Sequence, residues 1–109
     1  MPDEKLARAL RARIRRKILK EIIKCGKLSV REIAKRLNIT DYSASRHLRL
    51  LYDLGIVDFE LKHPEKYYYV KLKSLKDLLD AYDKVVKEME VNINESRDNN
   101  GILQRSRLR

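Results

Sequence analysis

Tyr42, Ser43, Ser45, Arg46 and Arg49 are the residues whose types and spacing suggest chemistry in this chain. At helical spacing they share one polar face, with the first four in the N-terminal half of their segment. Hydroxyls placed this way bond phosphates or base edges, and an arginine fork matches the two acceptors of a guanine edge. Lys62, His63 and Lys66 form a second group around the turn residues His63-Pro64-Glu65-Lys66. Two ammonium groups at a turn suit phosphate or minor-groove contact, although Glu60 and Glu65 dilute their charge. For His63, an exposed turn residue with no special task is the plainer reading. There is no nucleophile–base pair, no glycine-rich phosphate loop and no convincing metal cluster, so neither an enzyme nor a cofactor is expected.

The bulk properties agree with polyanion binding. The chain has 109 residues, enough for one domain with a modest core, and a formal net charge of +10. That charge favours nucleic acid first and an anionic membrane surface second. It is uneven: residues 1–25 hold nine Lys/Arg against three acids, whereas residues 73–91 hold four against five. No apolar run approaches the roughly 20 residues of a membrane span, and no signal peptide is visible. A cytoplasmic location is expected, in a prokaryotic cell or in a host cell if the source is viral.

The single cysteine, Cys25, excludes an intrachain disulfide. A buried or half-buried structural thiol is the leading reading, a disulfide between subunits the second, and a redox sensor the third. Neither His47 nor His63 has ligand-like spacing to it, so no metal is expected.

The elements that must position these groups are legible from caps and periodicity. Ser29 with Glu32 forms a capping box, and Ile33, Ala34 and Leu37 fall on one helix face. Asn38 stops that helix, and Thr40 or Asp41 caps the next, which runs to about Asp53 and turns Ala44, Leu48 and Leu51 inward. Gly55 suits a left-handed stop. Two short helices joined by a tight turn, the second bearing the polar face described above, predict a helix-turn-helix. An ordinary helical hairpin with a solvated face is the competing reading, and the hairpin that follows weighs against it. Val57 to Lys62 alternates as a half-buried strand, and Tyr67 to Leu72 is the return strand, with Tyr68, Val70 and Leu72 facing the core. His47 reads as a packing residue at the edge of the helical core.

Met1 to about Lys24 reads as a single helix with Pro2, Asp3 and Glu4 at its start and no breaker before Gly26. Its second half, with Ile14 and Ile18, packs on the helix-turn-helix. Its first half, with Leu6 and Leu10, is expected to hold a second subunit. Arg8, Arg11, Arg13, Arg15, Arg16 and Lys17 surround it as a solvated surface or as phosphate contacts. Ser74 opens the last helix, in which Leu75, Leu78, Leu79, Tyr82, Val85, Val86 and Met89 form an unbroken apolar stripe. The stripe is expected to be a dimer seam. Residues 92–109 lack periodicity and are expected to be a polar, disordered tail, where Arg105, Arg107 and Arg109 add non-specific DNA contact. Residues 1–91 then form the DNA-binding and dimerisation domain.

The order of elements resembles the ArsR-type winged-helix transcription regulators, a group that includes small regulators of archaea and their viruses. The residues that carry the resemblance are Ser45-Arg46-His47-Leu48-Arg49-Leu50-Leu51, Leu54-Gly55-Ile56-Val57 and Tyr68-Tyr69-Val70-Lys71-Leu72. It spans about residues 14–90. It implies a mainly α fold with a small β-hairpin, a winged helix-turn-helix flanked by N- and C-terminal dimerisation helices. It also implies a homodimer that binds palindromic promoter double-stranded DNA. Metal-sensing members carry a cysteine pair in the helix before the recognition helix, but Val30 to Arg36 contains no cysteine. The last helix has Asp77, Asp80 and Asp83 but no histidine, so metal sensing is not carried over. The alternatives are an architectural DNA-binding protein with little sequence preference and a winged-helix protein-interaction module.

Overall fold

The computed structural model describes residues 1–103, with side chains through residue 94. It contains two units, Met1–Lys76 and a second that starts at Asp77.

In the first unit, α1 (Pro2–Arg11) is followed by α2 (Arg13–Cys25). The single N-terminal helix expected from the sequence is thus broken at Ala12, which is extended at φ −86°, ψ 126°. No helix breaker marks that position. The break is held by side chains from the next turn. Arg15 Nε donates to the carbonyl of Ala9 at 3.0 Å and its Nη2 to that of Arg8 at 2.7 Å. Arg16 Nη1 donates to the carbonyls of Leu10 at 2.6 Å and Arg11 at 3.1 Å. These four bonds satisfy carbonyls that a helix end leaves without partners. Ala12 in turn starts α2 by accepting from the Arg15 and Arg16 amides. Gly26 ends α2 at φ +92°.

A short strand, β1 (Leu28–Ser29), leads into α3 (Val30–Leu37). The capping box is formed in both directions: Glu32 N–H donates to Ser29 Oγ at 3.2 Å, and Ser29 N–H donates to Glu32 Oε1 at 2.9 Å. Asn38, at φ 56°, closes α3 in the left-handed region, and Ile39 N–H reaches back to the Ala34 carbonyl at 3.0 Å. The next helix, α4 (Asp41–Asp53), is capped by Thr40 Oγ1, which accepts from Ser43 N–H at 3.0 Å. It ends in the same way as α3, with Gly55 at φ +81° and Ile56 N–H bonded to the Leu51 carbonyl at 2.9 Å. Both terminations are the six-to-one closure that a left-handed residue permits. They fix the exit directions of the two helices and therefore the presentation of the outward face of α4.

The wing is β2 (Val57–Lys62) and β3 (Glu65–Val70), antiparallel from Val57 opposite Val70 to Lys62 opposite Glu65. Its turn is shorter than expected, only His63-Pro64. β1 pairs with β3 through Leu28 opposite Tyr68, giving the sheet order β1-β3-β2. The third strand was not anticipated. Leu72 lies beyond the end of β3 and is 44 % exposed rather than in the core, because the pairing that enforces alternation ends at Val70.

Ile18, Leu19 and Ile22 of α2, Ile33 and Ala34 of α3, and Ala44, Leu48 and Leu51 of α4 form the buried centre, closed at the sheet by Leu28, Val57 and Tyr68. Ile14 and Leu37 are only half-buried. Cys25 is exposed, against the leading expectation of a buried thiol. Ile22 is the last buried position of α2, and the chain turns away at Gly26 one residue after the cysteine.

The last helix, α5, runs from Leu75 to Leu103. Residues 92–103 therefore continue the helix where a disordered tail was expected. Extending a formed helix avoids the nucleation cost, and the segment contains no proline. Residues 104–109, with Arg105, Arg107 and Arg109, lie outside the described residues.

Candidate nucleic-acid interface

The helix-turn-helix presents the polar face predicted for it. The burial of Ala44, Leu48 and Leu51 fixes the rotation of α4, and this leaves Tyr42, Ser45, Arg46 and Arg49 exposed, with Ser43 half-buried. Tyr42 is the most open of the large side chains there, at 72 %. The Arg46 guanidinium lies 5.7 Å from the centroid of the Tyr42 ring, one helical turn away. A cation–π contact of this kind restricts a long side chain before it meets a ligand. His47 is half-buried between the outward and inward faces. Burial is the largest cause of its lowered pKa, followed by the charges of Arg15 and Arg46.

The wing holds its cations differently. Lys62 and His63 are exposed at the tip. Lys66 is also exposed, but its ammonium sits 4.7 Å from the centre of the Phe59 ring. Phe59 itself lies between Tyr52, at 5.2 Å, and Tyr68, at 5.6 Å. The two carboxylates on the opposite face of β2 are paired. Asp58 meets Lys71 at 3.2 Å, and Glu60 meets Lys27 at 2.8 Å. Asp58 is held below the usual carboxylate pKa first by the Phe59 N–H and then by Lys71, and Glu60 first by Lys27. Exposed pairs of this kind add little stability. Their consequence here is that two of the three acids of the wing, Asp58 and Glu60, are neutralised by Lys71 and Lys27, while Glu65 stands beside the tip.

Residues 11–58 match the family model described as winged helix-turn-helix DNA-binding. The chain has the winged helix-turn-helix fold. Similar solved structures span most of its length. The solution structure of a homodimeric winged helix-turn-helix DNA-binding domain from Mycobacterium bovis, described as a possible ArsR-family transcriptional regulator, is 23 % identical. It covers 80 % of each chain with a TM-score of 0.69. HlyU from Vibrio cholerae is 23 % identical over 77 % of this chain and 90 % of its own, with a TM-score of 0.68. NolR from Sinorhizobium fredii is 20 % identical over 77 % and 83 %, also with a TM-score of 0.68. No curated protein matches the sequence. The winged helix-turn-helix fold read from the spacing of caps and apolar residues is the fold found.

The expected dimer residues divide into two sets. Leu10 and Leu75 are buried and Leu6 is half-buried in the first unit, so these serve packing already present, and Leu79 is buried as well. Leu78, Tyr82, Val85, Val86 and Met89 remain exposed along α5, Met89 at 57 %. Among the described residues, no group of three or more His, Cys, Asp and Glu stands close enough to hold a metal ion. No helix among them is long and apolar enough to cross a membrane. Sequence reasoning missed the arginine caps at Ala12, whose only signal is a pair of arginines three and four residues past an unremarkable alanine.

Proposed function

We propose that this chain is a sequence-specific, DNA-binding transcription regulator that acts as a homodimer on a palindromic site. The observation that carries the reading is the outward face of α4, where exposed Tyr42, Ser45, Arg46 and Arg49 stand on a helix of fixed rotation, with Lys62, His63 and Lys66 exposed at the wing that follows it. The N-terminal half of such a helix is the part that reads the major groove in this motif. Ser43, Lys62, His63 and Lys66 complete the proposed contact set, the last three on backbone or minor groove. Homodimerisation is supported by the exposed stripe Leu78, Tyr82, Val85, Val86 and Met89, which repeats at coiled-coil spacing. The homodimeric domain from Mycobacterium bovis, similar in fold, supports it further. Two copies would present two recognition helices to two half-sites, which is the physical basis of palindromic preference.

Replacing Tyr82 and Val86 together with Asp tests the assembly. Charges placed in an apolar seam cost several kcal/mol, about 3–5 for an uncompensated buried charge. Sedimentation should show monomers, and DNA affinity should fall because one half-site is lost. A variant that remains dimeric removes α5 as the seam. Selection from a random duplex pool tests the specificity: recovery of an inverted repeat supports the regulator, and recovery of unrelated sequences supports an architectural role instead.

A further inference from the structure

The junction between α1 and α2 concentrates positive charge. Arg15 is only 9 % exposed, and its Nε and Nη2 are bonded to the neutral carbonyls of Ala9 and Arg8. Those acceptors satisfy its hydrogen bonds but leave its charge in place. Its protonated form is disfavoured by burial and then by the charges of Arg11 and Arg8. The field of Arg15 reaches His47 on α4, which also feels Arg46. Arg15 is thus tied to α1 through the Ala9 and Arg8 carbonyls, and its charge acts on His47 of α4. Among the described residues no carboxylate pairs with any of these arginines, whereas Glu21, Asp58 and Glu60 are paired with Arg36, Lys71 and Lys27.

Like charges gathered without a counter-ion lower stability, and an anion that enters their field relieves the repulsion. Arg8 and Arg11 are exposed and one helical turn apart, on the side of α1 away from Leu6 and Leu10. Their planar forks suit phosphate oxygens. The geometry points to Arg8 and Arg11 as a second backbone-phosphate site on α1, reinforced by the charge of Arg15, which is buried against the carbonyls of Ala9 and Arg8. The site rests on the DNA-binding reading above and extends the contact from α4 and the wing to the N-terminal helix. Its ligand is the phosphate backbone flanking the base pairs that α4 reads, so it adds affinity and no sequence preference.

Salt titrations of the full chain on a random duplex and on a selected site test this. Arg8→Gln with Arg11→Gln should lower the salt slope by about 0.9 per lost phosphate contact, which is about two per protomer. Between 50 and 200 mM salt, the loss of affinity should then shrink by about tenfold per bound protomer, on both duplexes alike. Lys84→Gln with Lys87→Gln removes the same net charge from α5 and should leave the slope unchanged. An unchanged slope for the α1 variant, or equal slopes for both variants, overturns the site. A dimer that dissociates when Arg8 and Arg11 are replaced, with its slope preserved, assigns them to carboxylates of the second copy and overturns it too. A native chain that binds neither duplex removes the DNA-binding reading as well. Native binding with an unaltered α1 variant removes this inference alone.

Discussion

The recognition helix and the wing both carry the cations proposed to meet DNA, but they hold them in opposite ways. On α4 the rotation is set from beneath by three fully buried side chains, and the guanidinium of exposed Arg46 lies 5.7 Å from the centroid of the Tyr42 ring. On the wing the tip is exposed, and Lys66 is folded back onto Phe59. A base contact needs fixed geometry, because a bidentate bond tolerates little misalignment. A backbone contact needs only charge within reach. The difference therefore matches a division of labour in which α4 reads and the wing neutralises.

Removing the support beneath α4 should have the largest effect. Leu48→Ala should cost about 2–5 kcal/mol of stability, the range for a buried leucine whose cavity does not collapse. Phe59→Ala, at a half-buried ring of the wing, should cost less, about 1–2 kcal/mol from the smaller area lost. Urea denaturation with an unchanged m-value measures both. Equal costs would show that the wing is as much a part of the core as α4 is.

A smaller difference between α4 and the wing is expected in recognition. Arg46→Ala should cost about 1–3 kcal/mol at one base position and narrow the gap between a selected site and random DNA. Lys66→Ala should shift both duplexes together and reduce the salt slope by about one counter-ion at most. The ammonium must first leave the Phe59 ring, and a cation–π contact at an exposed site offsets about 0.5–1 kcal/mol of what a phosphate contributes. Titration of both variants on both duplexes distinguishes them. Equal, sequence-blind losses would assign α4 to the architectural reading.

These two regions also differ in how far the sequence discloses them. The helix-turn-helix is written in local signals: Ser29 with Glu32, Thr40 before α4, Gly55 after it, and apolar residues at three and four spacing. Each of these acts within one or two turns, so a linear reading recovers them. The wing is legible as two strands, but β1 exists only because Leu28 finds Tyr68 forty residues later. The break at Ala12 is hidden for a related reason. Alanine is the best helix former, and the interruption is held by arginines that reach back six and seven residues to carbonyls. The charge gathered at the junction of α1 and α2 is hidden with it, because Arg15 is buried against the Ala9 and Arg8 carbonyls only where that break occurs.

The smallest effect expected is in the pH dependence of stability, and it separates the two regions by window. His47, on α4, is held below the ordinary histidine value by burial, then by Arg15 and Arg46. The unfolded chain therefore takes up this proton first, and stability begins to fall as pH drops through about 6.5, the ordinary value. The loss is complete once pH lies below the lowered value in the fold. Asp58 and Glu60, on the wing, are also lowered, by the Phe59 N–H with Lys71 and by Lys27. For a carboxylate the same direction means that its contribution is fully present above about pH 4, the ordinary range, and disappears as pH falls through the lowered values. Both regions lose stability on the acid side, but α4 starts to do so at least two units earlier by these ordinary values. Thermal melts from pH 7.5 to 3 should show His47→Gln flattening the upper part of the curve only. Asp58→Asn with Glu60→Gln should flatten the lower part only. If His47→Gln leaves the upper part as steep as before, the His47 pKa is not lowered in the fold, and the acid loss in that window belongs to other groups.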